Sequence, residues 1–147
     1  ICENNGYAIY SKQQNRMAGA PITERAATFG LTTLKADGFS AEAVHGAVTD
    51  AMTALRSGAG PMLIEVDTYR WRDHVGPEDD HLTGYRPQSD MDGAIKNDDI
   101  TRLAERLGAD ISERIDAQVE ADLQAALAFA EAGDFPNSGA LMGNAYA

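Results

Sequence analysis

This 147-residue chain is short of cysteine, histidine and positive charge. Cys2 is its one cysteine, so no internal disulfide can form, and its apolar neighbours predict a buried structural thiol. There is no Cys-x-x-Cys pair, no Gly-x-Ser-x-Gly elbow, no Walker loop and no internal repeat. Lys and Arg number 12 against 23 Asp and Glu, a formal net charge of −11. A basic face for phosphate-backbone contacts is therefore missing, which argues against a nucleic-acid partner. A phosphate-bearing cofactor remains compatible, because one metal ion or a few local charges override the global balance. No apolar run is long enough to span a bilayer, so no membrane partner is expected. No secretory leader is visible, and a cytoplasmic location is the expectation.

What is present is ordinary globular composition, with 44% hydrophobic and 24% charged residues. Ile1 to Glu3 reads as the tail of a buried strand, and Asn4-Asn5-Gly6 as its turn. Tyr7 to Tyr10 is a short apolar return, and Ser11 to Ala20 a polar loop. Pro21 starts a short helix that Gly30 stops. Leu31 to Lys35 reads as a strand and Asp37-Gly38 as a turn. Ser40 is a good N-cap for a helix over Ala41 to Ser57, with Val44, Val48, Met52 and Leu55 at helical spacing. Pro61 leads into MLIEV, a buried strand. Thr68 to Pro87 is long, charged and aperiodic, as functional loops often are. Helices resume near Asp99 and from about Ile111 to Ala132, and the tail from Gly133 is glycine-rich.

This strand-helix alternation predicts an α/β fold, a parallel sheet flanked by helices. Ligands in such sheets sit beyond the carboxyl ends of strands. Two loops leave such ends: Asn4-Asn5-Gly6-Tyr7, and the segment after Val66.

Several residues there have chemistry to offer. Asn4 and Asn5 serve equally as turn formers or as neutral oxygen ligands, the latter suited to Mg²⁺ or Ca²⁺. His74 is either a solvated loop residue or a hydrogen-bond donor and proton shuttle near neutral pH. Arg70 and Arg72 before it suit a diphosphate. Asp79, Asp80 and His81 make a poor zinc cluster, since adjacent carboxylates rarely converge on one ion. Ser89 to Gly93 starts like a calcium loop, but its later ligands do not follow in register. His45 reads as a packed or surface histidine.

CENNGYAI, the helix with ERA and FG, ADGF, GPMLIEVDTYRWRDH and GYR, in that order, resemble the alpha subunit of thiamine-diphosphate-dependent 2-oxo acid dehydrogenases. Acetoin dehydrogenase alpha subunits belong to the same group. The resemblance covers residues 1 to about 107 and implies the C-terminal part of a thiamine-diphosphate-binding domain, with a helical extension over about 98 to 132 and a flexible tail. It implies thiamine diphosphate and Mg²⁺ as cofactors. Asn5 corresponds to the metal-binding asparagine, and Tyr7 to the residue whose backbone carbonyl binds the metal. Ile9 resembles the apolar residue that wedges the cofactor into its bent shape. His74 resembles the loop histidine that contacts the cofactor and assists acyl transfer, and Tyr85-Arg86 the motif closing that loop. A beta subunit and a lipoyl acyltransferase are the partners implied.

The family's opening Gly-Asp-Gly is not in this chain. The expectation is therefore a C-terminal half that is inactive alone and needs an upstream segment and a beta subunit. The other readings are an acetoin-cleaving alpha subunit and a non-catalytic interaction fragment. Val75 follows His74 where some members carry a phosphorylatable serine, which argues against that kinase control. Residues 75 to 87 are expected to order only with cofactor.

Overall fold

A computed structural model of the chain describes residues 1–78 and 84–143. The chain divides into two compact units, Ile1–Arg102 and Leu103–Ala147. The first unit is α/β. It contains β1 (Cys2–Asn4), β2 (Tyr7–Ala8), β3 (Ser11–Lys12), α1 (Gln13–Arg16), α2 (Ile22–Ala27), β4 (Thr32–Asp37), α3 (Ala41–Arg56), β5 (Met62–Asp67) and α4 (Gln88–Lys96). α5 (Asp99–Leu107) crosses the unit boundary, and α6 (Ala109–Glu131) and α7 (Ala140–Gly143) lie in the second unit.

β1, β5 and β4 form a three-stranded parallel sheet in the order β1-β5-β4. Its register pairs Cys2 with Glu65 and Asn4 with Asp67 on one side of β5, and Lys35 with Glu65 and Asp37 with Asp67 on the other. The expected parallel α/β architecture is thus present. β5 is central because its apolar run can be covered on both faces. Ile64 and Val66 point to one face and join Ala36 and Ala51 in the buried core, with Leu34, Val44, Ala47, Val48 and Met62 around it. Each fully buried Val or Ile there contributes roughly 1.5–3 kcal/mol.

α3 is capped as its sequence requires. The Ala43 amide donates to the Ser40 hydroxyl at 3.2 Å. Its buried stripe runs through Val44, Ala47, Val48 and Ala51. Met52 and Leu55, expected to share that stripe, stand at its rim, 39% and 41% exposed. Small alanines let this helix sit close to the sheet, which narrows the strip that is covered. Before α3, the Phe39 amide donates to the Asp37 carboxylate at 2.9 Å, closing the expected Asp37-Gly38 turn. Only glycine fits at 38: a Cβ there would lie 2.0 Å from the Asp67 carbonyl oxygen.

Three expectations are corrected. Cys2 is half-buried, not buried, because β1 is an edge strand among the described residues. Ser11 to Arg16 is a strand and a helical turn, not loop; pairing of Tyr7 with Lys12 and Ala8 with Ser11 makes a tight antiparallel hairpin. Helices resume at Gln88, not near Asp99: Gln88–Lys96 is a helix that buries Met91 and Ala94, and Ser89 to Gly93 lies inside it. Among the described residues, no helix is long and apolar enough to cross a membrane.

Candidate functional site

The sequence ENNGYAI folds into two nested turns at the carboxyl end of β1. The Asn4 carboxamide oxygen accepts the Gly6 amide at 3.0 Å, and the Asn5 carboxamide oxygen accepts the Tyr7 amide at 2.9 Å. Each asparagine thus bonds backbone two residues on, the local habit of this side chain. Gly6 has φ +74, a left-handed value that a Cβ would disfavour. The Gln13 amide donates to the Gly6 carbonyl at 2.8 Å, and the Thr68 amide donates to the Asn4 carbonyl at 3.0 Å. The turn is therefore held from the hairpin on one side and from the segment after β5 on the other.

These bonds decide which oxygens remain available. In an antiparallel pair, hydrogen-bonded and non-hydrogen-bonded positions alternate. The Gln13–Gly6 bond marks one hydrogen-bonded position, so the adjacent Tyr7–Lys12 pair is of the other kind. The Tyr7 carbonyl consequently lies outside the hairpin ladder. The Asn5 carboxamide oxygen has accepted one hydrogen bond and has two lone pairs. Asn5 and Tyr7 line a common cleft of about 390 Å³. Among the described residues, no three His, Cys, Asp or Glu side chains cluster as a metal site. A neutral amide oxygen and a peptide carbonyl are the hard donors that Mg²⁺ accepts while it keeps waters and phosphate oxygens, so this turn fits half of such a site.

A second cleft of about 520 Å³ shares Asn4, Asn5 and Gln13 with the first and is also lined by Gly6, Lys35, Glu65 and Asp67 among others. Lys35 pairs with Asp67 at 3.1 Å. That carboxylate, by its hydrogen bond and its charge, holds the Lys35 ammonium above its usual range. Glu65 is 3% exposed, and its Oε1 accepts the Asn4 amide nitrogen at 2.7 Å.

Ile9 forms the tip of the hairpin with Tyr10. It has φ +57, the single non-glycine residue with positive φ among those described, and it is 47% exposed. A β-branched residue is costly there, and strain of this kind collects at functional sites.

His74 lies on the long loop, exposed, with its own amide donating to the Asp73 carboxylate at 2.6 Å. Asn5 and Tyr7 are brought together; His74 lines neither of their clefts. Asp79, Asp80 and His81, weighed as a zinc cluster, lie outside the described residues, as does part of the segment expected to order with cofactor. The neck of the loop is closed by a cluster the sequence showed only as a motif. Arg86, 3% exposed, places its guanidinium 4.6 Å from the Tyr69 ring centre, 5.5 Å from that of Tyr85 and 6.0 Å from that of Tyr7. It also donates to the Arg70 carbonyl, and Arg70 donates to the Tyr85 hydroxyl at 3.0 Å. Tyr85 meets Tyr7 and Tyr10 edge-on at 5.7 and 5.0 Å. The loop is thereby tied to the turn that carries Asn5.

Two residues escaped sequence reasoning: Glu65 and Gln13. Glu65 had a visible signal, a charge inside the apolar run MLIEV. Gln13 had none.

The model of the dehydrogenase E1 component family matches residues 1–138. The pyruvate dehydrogenase E1 component subunit alpha of Zymomonas mobilis is 31% identical over 142 residues, covering 92% of this chain and 39% of that protein. The same subunit of Porphyra purpurea is 29% identical over 143 residues, 93% of this chain and 41% of the relative. The 2-oxoisovalerate dehydrogenase subunit alpha of Bacillus subtilis is 34% identical over 100 residues, 68% of this chain and 30% of that protein. The chain thus spans 30% to 41% of the length of these three relatives.

Proposed function

The chain belongs to the dehydrogenase E1 component family, and we propose that it is the C-terminal part of the alpha subunit of a thiamine-diphosphate- and Mg²⁺-dependent 2-oxo acid dehydrogenase. Pyruvate and branched 2-oxo acids are the substrate class, by the names of its relatives. The observation that carries this reading is the turn after β1. Its Asn5 carboxamide oxygen, which keeps a lone pair beyond the one taken by the Tyr7 amide, and its Tyr7 carbonyl, which lies outside the hairpin ladder, are hard oxygen donors at the same cleft.

When bound, thiamine diphosphate supplies the nucleophilic carbon and the electron sink for decarboxylation of a 2-oxo acid. Asn5 and Tyr7 would hold the Mg²⁺, whose charge would anchor the diphosphate. Ile9, fixed at the hairpin tip, presents an apolar side chain to the cofactor. His74 gives a proton or a hydrogen bond during acyl transfer. A segment carrying Gly-Asp-Gly completes the metal site, and a beta subunit completes the assembly. A lipoyl acyltransferase accepts the acyl group, and the enzyme works in the cytoplasm.

Calorimetric titration of thiamine diphosphate with Mg²⁺ tests the reading. The chain is titrated alone and after co-expression with its neighbouring open reading frames. Binding in the co-expressed sample, lost in Asn5→Ala, is the expected result. No binding in either sample sinks it. The second reading, a non-catalytic interaction fragment, then takes over. It is favoured by the exposed Ile111, Ile115, Val119, Leu123 and Leu127 of α6, spaced four residues apart as one helix ridge.

A further inference from the structure

The buried carboxylate of Glu65 has no role in the reading above, and the fold does not require it. It sits in the middle of the central strand, on the face opposite the Ile64 and Val66 core, because side chains alternate along a strand. Its neighbour Leu63 faces α2, lining a cleft with Ile22 and Ala26. An apolar residue at position 65 would continue that face. A carboxylate there loses its hydration, and such a loss is recovered only through good partners. The cation opposite it in register, Lys35, gives its ammonium to Asp67. Oε2 of Glu65 is buried without a hydrogen-bond partner among the described residues.

Oε1 is the half that is used. It accepts Asn4 Nδ2 at 2.7 Å, the length of a charge-assisted bond. A carboxylate is acceptor-only, so it selects the nitrogen of the carboxamide and rejects the oxygen. Gln13 Oε1, 3.3 Å from the same nitrogen, selects in the same sense. The Asn4 oxygen is thereby turned toward the Gly6 amide, which it accepts at 3.0 Å. That bond sets the course of the chain through Asn5, Gly6 and Tyr7. Were the carboxamide reversed, its nitrogen would face the Gly6 N–H, donor against donor, and the turn would open.

We propose that Glu65 is a positioning residue of the metal half-site: through Asn4 it fixes the orientation of the turn that presents the Asn5 oxygen and the Tyr7 carbonyl. This rests on the Mg²⁺-diphosphate reading of that turn. Asn4 is then the intermediary and Asn5 the ligand, which separates the roles of two adjacent, chemically identical residues. Outer-shell groups of this kind typically change metal affinity by about 10- to 100-fold.

The test uses the co-expressed assembly, with Mn²⁺ as the probe in the presence of thiamine diphosphate, followed by electron paramagnetic resonance. Glu65→Met is expected to weaken Mn²⁺ binding by about 10- to 100-fold with the fold retained. Glu65→Gln keeps an acceptor for Asn4 and should lose less than about 3-fold. Asn4→Ala, which removes this bond together with those to Gly6 and Gln13, should lose at least as much as Glu65→Met, and the double variant should be no weaker than Asn4→Ala, because Glu65 acts through Asn4. A merely structural role would lower the melting temperature of Glu65→Met while leaving the Mn²⁺ affinity of the folded assembly unchanged. If Glu65→Met binds Mn²⁺ as the wild type does while Asn5→Ala abolishes binding, the positioning role is overturned and the metal-site reading stands. If the wild type itself binds no Mn²⁺, the metal-site reading fails and this inference with it. Should Glu65→Met not fold, Asn4→Ala carries the test, and wild-type affinity in that folded variant overturns the proposal.

Discussion

Arg86 is the residue on which the neck of the His74 loop depends. Replacing it by Met keeps the length and the apolar stem and removes the planar cation. Three rings lose a cation at 4.6 to 6.0 Å from their centres. Such contacts are worth about 0.5–2 kcal/mol each. The Arg70 carbonyl also loses a charged donor, and a hydrogen bond to a charged group is worth about 1.5–3 kcal/mol. Set against this, a cation 3% exposed no longer has to be desolvated, and Met still packs on the rings. The net expectation is a loss of roughly 1–3 kcal/mol, since Met replaces the packing on the rings but not the charged hydrogen bond to the Arg70 carbonyl. For a chain of this size that is a fall in melting temperature of about 3–10 °C.

The effect should be local as well as global. Hydrogen exchange of Arg70 to Asp73 and of Tyr85 should speed up, and the amides of β4 and β5 should keep their protection. Arg86→Lys should rescue little, because the ammonium is a compact, strongly hydrated charge without a planar face to stack between Tyr69 and Tyr85. Unchanged melting and unchanged exchange in Arg86→Met would refute this reasoning. Full rescue by Lys would refute the stacking part of it and leave only the charge.

Two further perturbations have definite expectations. Ile9 stands at φ +57 in the first central position of a two-residue hairpin, where glycine normally belongs; Ile9→Gly relieves about 1–2 kcal/mol of left-handed strain and gives back about 0.5–1 kcal/mol in backbone entropy. Its melting point should therefore hold or rise while thiamine diphosphate binding weakens, and a drop of more than about 5 °C in the unliganded chain counts against the strain. Asp98 caps α5, accepting the Thr101 hydroxyl at 2.7 Å and its amide at 3.0 Å, and these bonds hold its carboxyl below the usual range. A folded value below the unfolded one means the cap stabilises above the unfolded pKa and is lost as pH falls through the folded one. The melting difference between wild type and Asp98→Ala should therefore be full at pH 7 and shrink in the acid range; a difference that stays constant down to pH 2 excludes the linkage.

How much was legible beforehand follows from the range of the forces involved. β4, α3 and β5 could be read because each is specified locally: Ser40 caps its own helix, Gly58 to Gly60 stops it, and MLIEV is apolar enough to be central. The hairpin of Tyr7–Ala8 with Ser11–Lys12 was missed because its turn residues, Ile9 and Tyr10, are the opposite of turn formers. Nothing local favours that turn, and the conformation is imposed by the Gln13–Gly6 bond and by the ring contacts of Tyr10 with Tyr85, which are distant in sequence. α4 was missed for a related reason: Gly93 weakens its propensity and only Met91 and Ala94 are buried, so little amphipathic signal was left to find.

The site divides along the same line. Asn4 and Asn5 were readable as candidate oxygen ligands because a turn and its side-chain chemistry span a few residues, whereas the choice of Asn5 and of the Tyr7 carbonyl came from the family resemblance. The group that orients them was not, because Asn4 and Glu65 are 61 residues apart and meet only when β1 lies beside β5. Parallel pairing brings residues together only through long connections, so in this fold the supporting shell of a site is systematically less legible than its ligands. A charge inside an apolar strand run is the residue-level trace such a shell leaves. Glu65 in MLIEV is that trace, and the same reasoning applies to any central strand where one ionisable residue interrupts an otherwise buried face.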